Sequence, residues 1–260
     1  VAAEMGWVMG VGSQRRELFD KEAQKEWRAL RKVVPHLPML GNIGIAQIID
    51  LDPSAIKALT DSLDAKALIV HLNPLQECFQ PEGNLNFKGS AKALEKVVKT
   101  LGLPVVVKET GCGISPNTVR RLADLGVAAV DVAGAGGTHW GRVEGFRNKP
   151  SDMRFKAAET YKDWGISTLD SLLGAMELPL KIPIWASGGV RHGLDAAKLL
   201  ALGAERIGFA KPILEKALVG EDELSRAMEL IEFELKVALF CTGAKHPTAW
   251  RQGAGEEGTQ

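Results

Sequence analysis

Four side chains able to bind or orient a polar group crowd into one short run, His71-Leu72-Asn73-Pro74-Leu75-Gln76-Glu77. The run continues directly from an apolar stretch, 67–73, so a buried strand is expected to deliver His71, Asn73, Gln76 and Glu77 to one place. An imidazole, two amides and a carboxylate can fix the position of a substrate. One carboxylate can also hold Mg²⁺ when a phosphorylated ligand supplies further oxygens. Each residue alone has a plainer reading. A lone His is most often a hydrogen-bonded core residue, and a Glu at a helix start complements the helix dipole. The chain has no HExxH and no Cys/His pair at ligand spacing, so a metal site made of protein groups alone is not expected.

Two glycine clusters suggest anion binding. Ser187-Gly188-Gly189-Val190-Arg191 ends an apolar run and precedes a helical segment. Backbone N–H groups in such a turn, with a helix N-terminus behind them, attract phosphate. Gly134-Ala135-Gly136-Gly137-Thr138 is a second loop of this kind, and Thr138 adds a hydroxyl. A tight turn without ligand is the alternative for each loop. Lys108 closes another apolar run. Its ammonium either faces the site and stabilises negative charge on a bound ring, or pairs with Glu109 or Asp131.

The elements that must position these residues are legible from punctuation. Seven apolar runs, 7–13, 37–44, 67–73, 104–110, 128–134, 182–189 and 206–212, are mostly continuous, not alternating, in polarity. Strands covered on both faces look like this, which implies a parallel sheet between helices. Asp52-Pro53, Ser90, Ser115-Pro116 and Ser167 open helices. Leu101-Gly102, Leu125-Gly126 and Leu202-Gly203 end helices that lead into strands.

Repeated βα units of this kind predict a TIM (β/α)8 barrel, a single domain over residues 1–260. Residues 1–6 read as the last turn of a helix already under way, so the first strand is expected upstream of Val1. Residues 141–165 are expected to form a loop insertion and 253–260 a frayed tail. An open doubly wound sheet has less support, because no GxGxxG follows an early strand. In a barrel, ligands meet the C-terminal strand ends. Those ends carry Ser13-Gln14-Arg15, Gly41-Asn42, the His71–Glu77 run, Lys108-Glu109, the two glycine loops and Ala210-Lys211.

Composition sets bounds on partners. Lys+Arg and Asp+Glu both number 32, so no net field favours nucleic acid or a membrane surface. Cys78, Cys112 and Cys241 are widely spaced, which favours a reducing compartment. With no apolar run long enough to cross a bilayer, the expectation is a soluble cytoplasmic protein.

The motifs HLNPLQE (71–77), VKE (107–109), DVAGAGGT (131–138) and ASGGVR (186–191) resemble those of the type 2 isopentenyl diphosphate isomerase family, in order and over nearly the whole chain. HLNPLQE and DVAGAGGT are specific, whereas SGGVR is shared with other flavin barrels. The resemblance implies an enzyme that uses reduced FMN and Mg²⁺, with NADPH as reductant, to interconvert isopentenyl and dimethylallyl diphosphate. It implies that Ser13, Asn42, Lys108, Thr138, Gly188, Gly189, Val190, Arg191, Ala210 and Lys211 line the FMN. It implies that Ser13, Gln14, Arg15 and Gln76 meet the substrate, with Gln76, His71 and Asn73 at the reacting end and Glu77 on the metal. The flavin is then expected to shuttle the proton, and the protein to be a homotetramer or homo-octamer. The chain departs from the family at its front, where an Arg-Lys pair for the diphosphate and a Met-Thr-Gly turn near the flavin are absent.

Two other readings fit part of the pattern. An FMN-dependent 2-hydroxy acid oxidase shares the GGVR loop, but its catalytic base is typically a His followed by Gly-Gly-Arg-Gln, and His139 here lacks that arginine. A non-catalytic phosphate-binding barrel would need the glycine loops but not His71, Asn73, Gln76 and Glu77 together.

Overall fold

The structure, a computed structural model, describes residues 1–252; the tail expected at 253–260 lies outside the described residues. Seven strands run in chain order through one sheet: β1 Met9–Gly10, β2 Met39–Gly44, β3 Ala67–His71, β4 Val105–Lys108, β5 Ala129–Asp131, β6 Ile184–Ala186 and β7 Arg206–Ile207. Each falls inside one of the seven expected runs, and every pairing is parallel. The sheet curls until the ring of Trp7, before β1, stacks 5.7 Å from that of Phe209, after β7. β1 and β7 each keep one edge unpaired among the described residues. This is the layout of a (β/α)8 barrel with seven of its strands.

The uniformly apolar runs hide an alternation. Leu40, Ala67, Ile69, Val106 and Ala129 pack together with Trp185 inside the curl. Leu68, Val70, Val105, Val107, Val130 and Ile184 face outward onto helix residues such as Ile56, Leu94, Val119 and Leu172. Strand side chains alternate between faces with a period of two. Two residues beyond Leu40, Ile69, Val106, Ala129 and Trp185 therefore stand Asn42, His71, Lys108, Asp131 and Ser187, all on the inner face at one end of the sheet.

The expected helix starts hold. The side chains of Asp52, Ser115 and Ser167 accept N–H bonds from Ser54, Thr118 and Asp170. Ser90 differs: it is the first residue of its helix, and Gly89 holds the cap position without a side-chain bond. Residues 141–165 are largely helical, in the pieces Trp140–Phe146 and Met153–Thr160.

The long helix Glu221–Cys241 lies across Gly193–Ala201. Their approach is so close that a Cβ on Gly193 would sit 2.2 Å from the Ile231 carbonyl oxygen. The Gly193 N–H also donates to Glu234 Oε2 at 2.6 Å. Gly193→Ala is expected to destabilise the fold by about 1–3 kcal/mol through overpacking, read as a lower urea midpoint at unchanged slope. An unchanged midpoint would mean that the two helices separate at no cost.

Candidate active site

Strand register gathers the inner-face polar residues. His71 pairs with Lys108, and Lys108 with Asp131, across three adjacent strands. Asn42 reaches the same layer from β2: its Nδ2 donates to the Val11 carbonyl at 2.8 Å, and its Oδ1 lies 2.9 Å from His71 Nδ1. Burial, with the Lys108 charge beside it, lowers the His71 pKa from 6.5 to about 3. The imidazole is therefore neutral. Burial also lowers the Lys108 ammonium pKa, against the attraction of Asp131 and Glu109. Lys108 Nζ donates to the Glu109 backbone carbonyl at 2.7 Å, so its direct partner is a carbonyl and not either carboxylate considered from sequence. Burial pushes Glu109 above the usual carboxylate range, while the N–H groups of Cys112 and Thr110, at 2.5 and 2.6 Å, oppose that shift.

The two glycine loops meet backbone to backbone. A Cβ on Gly188 would lie 2.2 Å from the Gly134 carbonyl oxygen, and one on Gly189 would lie 2.5 Å from Gly136 C. Both glycines have positive φ, 95° and 75°, a conformation that side chains make costly. Two side chains bind the loops together. Ser187 Oγ donates to Asp131 Oδ2 at 2.8 Å, and Thr168 Oγ1 donates to the Gly188 carbonyl at 2.7 Å. The backbone N–H groups of Gly137, Thr138, Gly188, Gly189 and Val190 meet no acceptor among the described residues. An array of free N–H groups with no Cβ in front of it suits an anion. These loops therefore fit the phosphate of a cofactor.

A second polar cluster lies on the rim next to them. Asn73 is buried, and its Nδ2 donates to Glu77 Oε1 at 3.0 Å and Gln76 Oε1 at 3.3 Å. Its Oδ1 is buried without any partner. Such an orphaned acceptor is costly unless something completes it. Glu77 Oε2 accepts the Asn84 N–H at 2.6 Å. Gln76 Nε2 donates to Glu144 Oε1 at 3.0 Å, and Arg147 holds Glu144 Oε2 at 2.7 Å. No group of three His, Cys, Asp or Glu is placed to hold a metal among the described residues. A cation here would draw on the Glu77 carboxylate, with the rest of its shell from a ligand. That donor set, all oxygen, suits Mg²⁺.

Sequence reasoning missed Glu144, Arg147 and Thr168. The only signal for the first two was their i,i+3 spacing within a segment read as a loop. The other expected residues are placed differently. Gln14 is fully buried: its Nε2 donates to Glu17 Oε1 and the Leu59 carbonyl, and its Oε1 accepts the Asn42 N–H at 3.1 Å. It braces Asn42 from behind. Ser13 and Arg15 follow β1, and Ala210 and Lys211 follow β7; no hydrogen bond joins these four to the central cluster. Lys211 is exposed, 3.6 Å from Glu215. Val190 is buried, and exposed Arg191 donates its backbone N–H to Asp195 Oδ2.

Residues 40–254 match the FMN-dependent dehydrogenase family. A relative from Legionella pneumophila (strain Corby), an isopentenyl-diphosphate delta-isomerase, is 57% identical over 92% of this chain and 70% of its own length. One of the same name from Bdellovibrio bacteriovorus is 54% identical over 92% of this chain and 69% of its own length. The chain belongs to the isopentenyl-diphosphate delta-isomerase family. Solved structures of greater sequence distance share the fold. They include a lactate oxidase from Pediococcus acidilactici (TM-score 0.58, 18% identity, 94% of this chain and 74% of that one). A flavocytochrome b2 variant with pyruvate bound also aligns (TM-score 0.63, 19% identity, 90% and 60%). The type 2 isomerase expected from the motifs is thus the family found, and the fold is that of the flavin barrels.

The neutral His71 carries a stability signature. The unfolded chain takes up its proton near pH 6.5, the folded chain only near pH 3. Its contribution is complete above pH 6.5 and is lost as pH falls through that window, by about 1.4 kcal/mol per pH unit. Denaturant unfolding at stepped pH is expected to show a shallower acid slope for His71→Gln than for the unaltered chain. Identical slopes would mean that His71 protonates in the folded state.

Proposed function

We propose that this chain interconverts isopentenyl and dimethylallyl diphosphate in the presence of reduced FMN and Mg²⁺. The observation that carries this reading is the 57% identity, over 92% of the chain, to an isopentenyl-diphosphate delta-isomerase. The reaction adds one proton to the terminal alkene carbon and removes another from the allylic carbon, with no net redox change. Bound reduced FMN supplies an electron-rich surface and a proton relay for that exchange.

The residues of the chain bind and orient. The free N–H groups around Gly188 and Gly189, with Thr138, hold the FMN phosphate. Asn42, Lys108, Val190, Arg191, Ala210, Lys211 and Ser13 line the remainder. The Lys108 ammonium, desolvated on the inner rim, favours negative charge on its neighbour. Glu77 would hold Mg²⁺, and the metal together with Arg15 would anchor the diphosphate; Gln14, buried behind Asn42, supports that residue and does not reach the ligand. Gln76 is clamped at both ends, by Asn73 and by Glu144. An amide does not ionise, and this one, held in place, would orient the substrate. Fixing the remote diphosphate places the reacting carbons.

NADPH as reductant, a homotetramer or homo-octamer, and a cytoplasmic location are further parts of the proposal. Among the described residues no helix is long and apolar enough to cross a membrane.

The purified protein, reconstituted with FMN, is expected to show oxidised flavin absorption that dithionite bleaches. In that reduced state, with Mg²⁺, it is expected to convert isopentenyl diphosphate to its allylic isomer. Glu77→Gln should lose Mg²⁺-dependent turnover by tenfold or more, the order of magnitude typical for groups that tune a metal site. Turnover of lactate or glycolate with oxygen uptake, and none of the diphosphate, would overturn the proposal.

A further inference from the structure

Two chains of hydrogen bonds run from Arg147 to Glu77 and end on its two carboxylate oxygens. The first passes through the helix Trp140–Phe146. Arg147 Nη1 donates to Glu144 Oε2 at 2.7 Å, and Gln76 Nε2 donates to Glu144 Oε1 at 3.0 Å. Asn73 Nδ2 then donates to Gln76 Oε1 at 3.3 Å and to Glu77 Oε1 at 3.0 Å. The second chain passes through the turn after the helix Pro74–Phe79. The same Nη1 donates to Glu82 Oε1 at 3.0 Å, and the Asn84 N–H donates to Glu77 Oε2 at 2.6 Å. A Cβ on Gly83, between these two, would collide with the Glu77 carbonyl oxygen, so the turn folds back tightly on the helix. Together the chains close a ring.

The order of donors fixes how the ring is filled. A guanidinium only donates and a carboxylate only accepts. With Oε2 taken by Arg147, Glu144 offers Oε1 to Gln76. The Gln76 amide must then turn Nε2 toward Glu144 and Oε1 toward Asn73. Docking of the two helices does not depend on this cation, because Asn148 Nδ2 donates to the Glu144 carbonyl at 2.9 Å and reaches the Phe79 carbonyl at 3.4 Å. The Arg147 side chain is 48% exposed, and exposed ion pairs add little stability. Its effect is therefore expected on alignment and not on the fold. Glu77, Glu82 and Glu144 are the carboxylates of the ring, and Arg147 is where its two chains join.

We propose that Arg147 is a positioning residue that aligns Gln76 with Glu77, so that the amide that orients the substrate and the carboxylate that holds the metal keep one relative placement. It acts through Glu144 on the first and through the turn Glu82–Asn84 on the second. Losing Arg147 has two opposed effects on a bound cation. Removing a positive charge favours the cation, and losing alignment of Glu77 weakens its hold. Water screens the half-exposed guanidinium, so alignment dominates and the metal is held less well. The inference rests on the proposed roles of Gln76 and Glu77, but the ring itself can be read without any turnover.

The test compares Arg147→Gln, Arg147→Lys and Glu82→Gln with the unaltered full chain, each reconstituted with FMN. Amide hydrogen exchange without substrate or metal reads the ring alone. The Asn84 N–H should exchange several-fold faster in Arg147→Gln and Glu82→Gln, while the remote Gly193 N–H, bonded to Glu234, should not change. Turnover at stepped Mg²⁺ then separates the two chains of the ring. Arg147→Gln should raise the Mg²⁺ needed for half-maximal turnover by about tenfold, the scale on which outer partners of a metal site act. It should also lower kcat at saturating Mg²⁺. Glu82→Gln should raise the Mg²⁺ requirement and leave that kcat unchanged, because Gln76 stays clamped. Arg147→Lys, which keeps a charged donor, should recover part of both losses. Unchanged Asn84 exchange in Arg147→Gln would overturn the proposal, and so would an unchanged or lower Mg²⁺ requirement. Should Arg147→Gln fail to fold, the same exchange reading on Glu82→Gln decides. Should the unaltered chain show no isomerase turnover, the proposed function falls, and the exchange readings still decide whether Arg147 holds the ring.

Discussion

Parallel pairing of β2 to β5 is the constraint on which the rim depends. In a parallel ladder each residue has a fixed neighbour, and side chains alternate faces strictly. Once Leu40, Ile69, Val106 and Ala129 turn inward, Asn42, His71, Lys108 and Asp131 must follow them two residues later. A slip of one residue would turn the rim group of a strand outward and bury a polar or charged side chain against the helices. The apolar layer below thus specifies the polar layer above, and the cost of misplacing a charge guards the register.

That placement has an electrostatic consequence. The rim groups sit where water is scarce, and burial acts on each of them in its own direction. His71 stays neutral, the Lys108 ammonium is disfavoured, and Glu109 is drawn toward its protonated form. Cys112, on the adjoining turn, is pushed up to about 12 and stays an inert thiol. Buried charges ordinarily cost more than they return unless hydrogen-bonded partners surround them. Here backbone N–H groups hold Glu109, a carbonyl holds Lys108, and Ser187 with the Ala133 N–H holds Asp131. A site of this kind is prepared to stabilise charge on a ligand without rearranging.

Much of this was legible in the amino-acid order, for physical reasons. Continuous apolar runs gave all seven strands, because a sheet covered on both faces leaves no polar stripe to confuse the reading. Proline and serine at helix starts and glycine at helix ends marked most boundaries. The shared rim of the two glycine loops followed from their place at strand ends, but their backbone-to-backbone packing is a property of the folded chain. The roles of Glu144 and Arg147 did not follow, since a clamp on Gln76 from 68 positions away is a property of how Trp140–Phe146 docks. The family resemblance implied Gln14 as a substrate contact. Its burial behind Asn42 depends on the turn Gln14–Leu18, which carries no such signal. Lys108 remained open between two partners because a strand position fixes direction but not the reach of four methylenes.

The central claim is that one rim, set by strand register, receives a phosphate on the two glycine loops and a ring above Lys108. A crystal structure of the protein grown with FMN measures this most directly. The account predicts the FMN phosphate within hydrogen-bond reach of the Gly188 and Gly189 N–H groups, with the isoalloxazine over the layer of Asn42, His71 and Lys108. A phosphate held on another face, with those N–H groups turned to solvent, would contradict it.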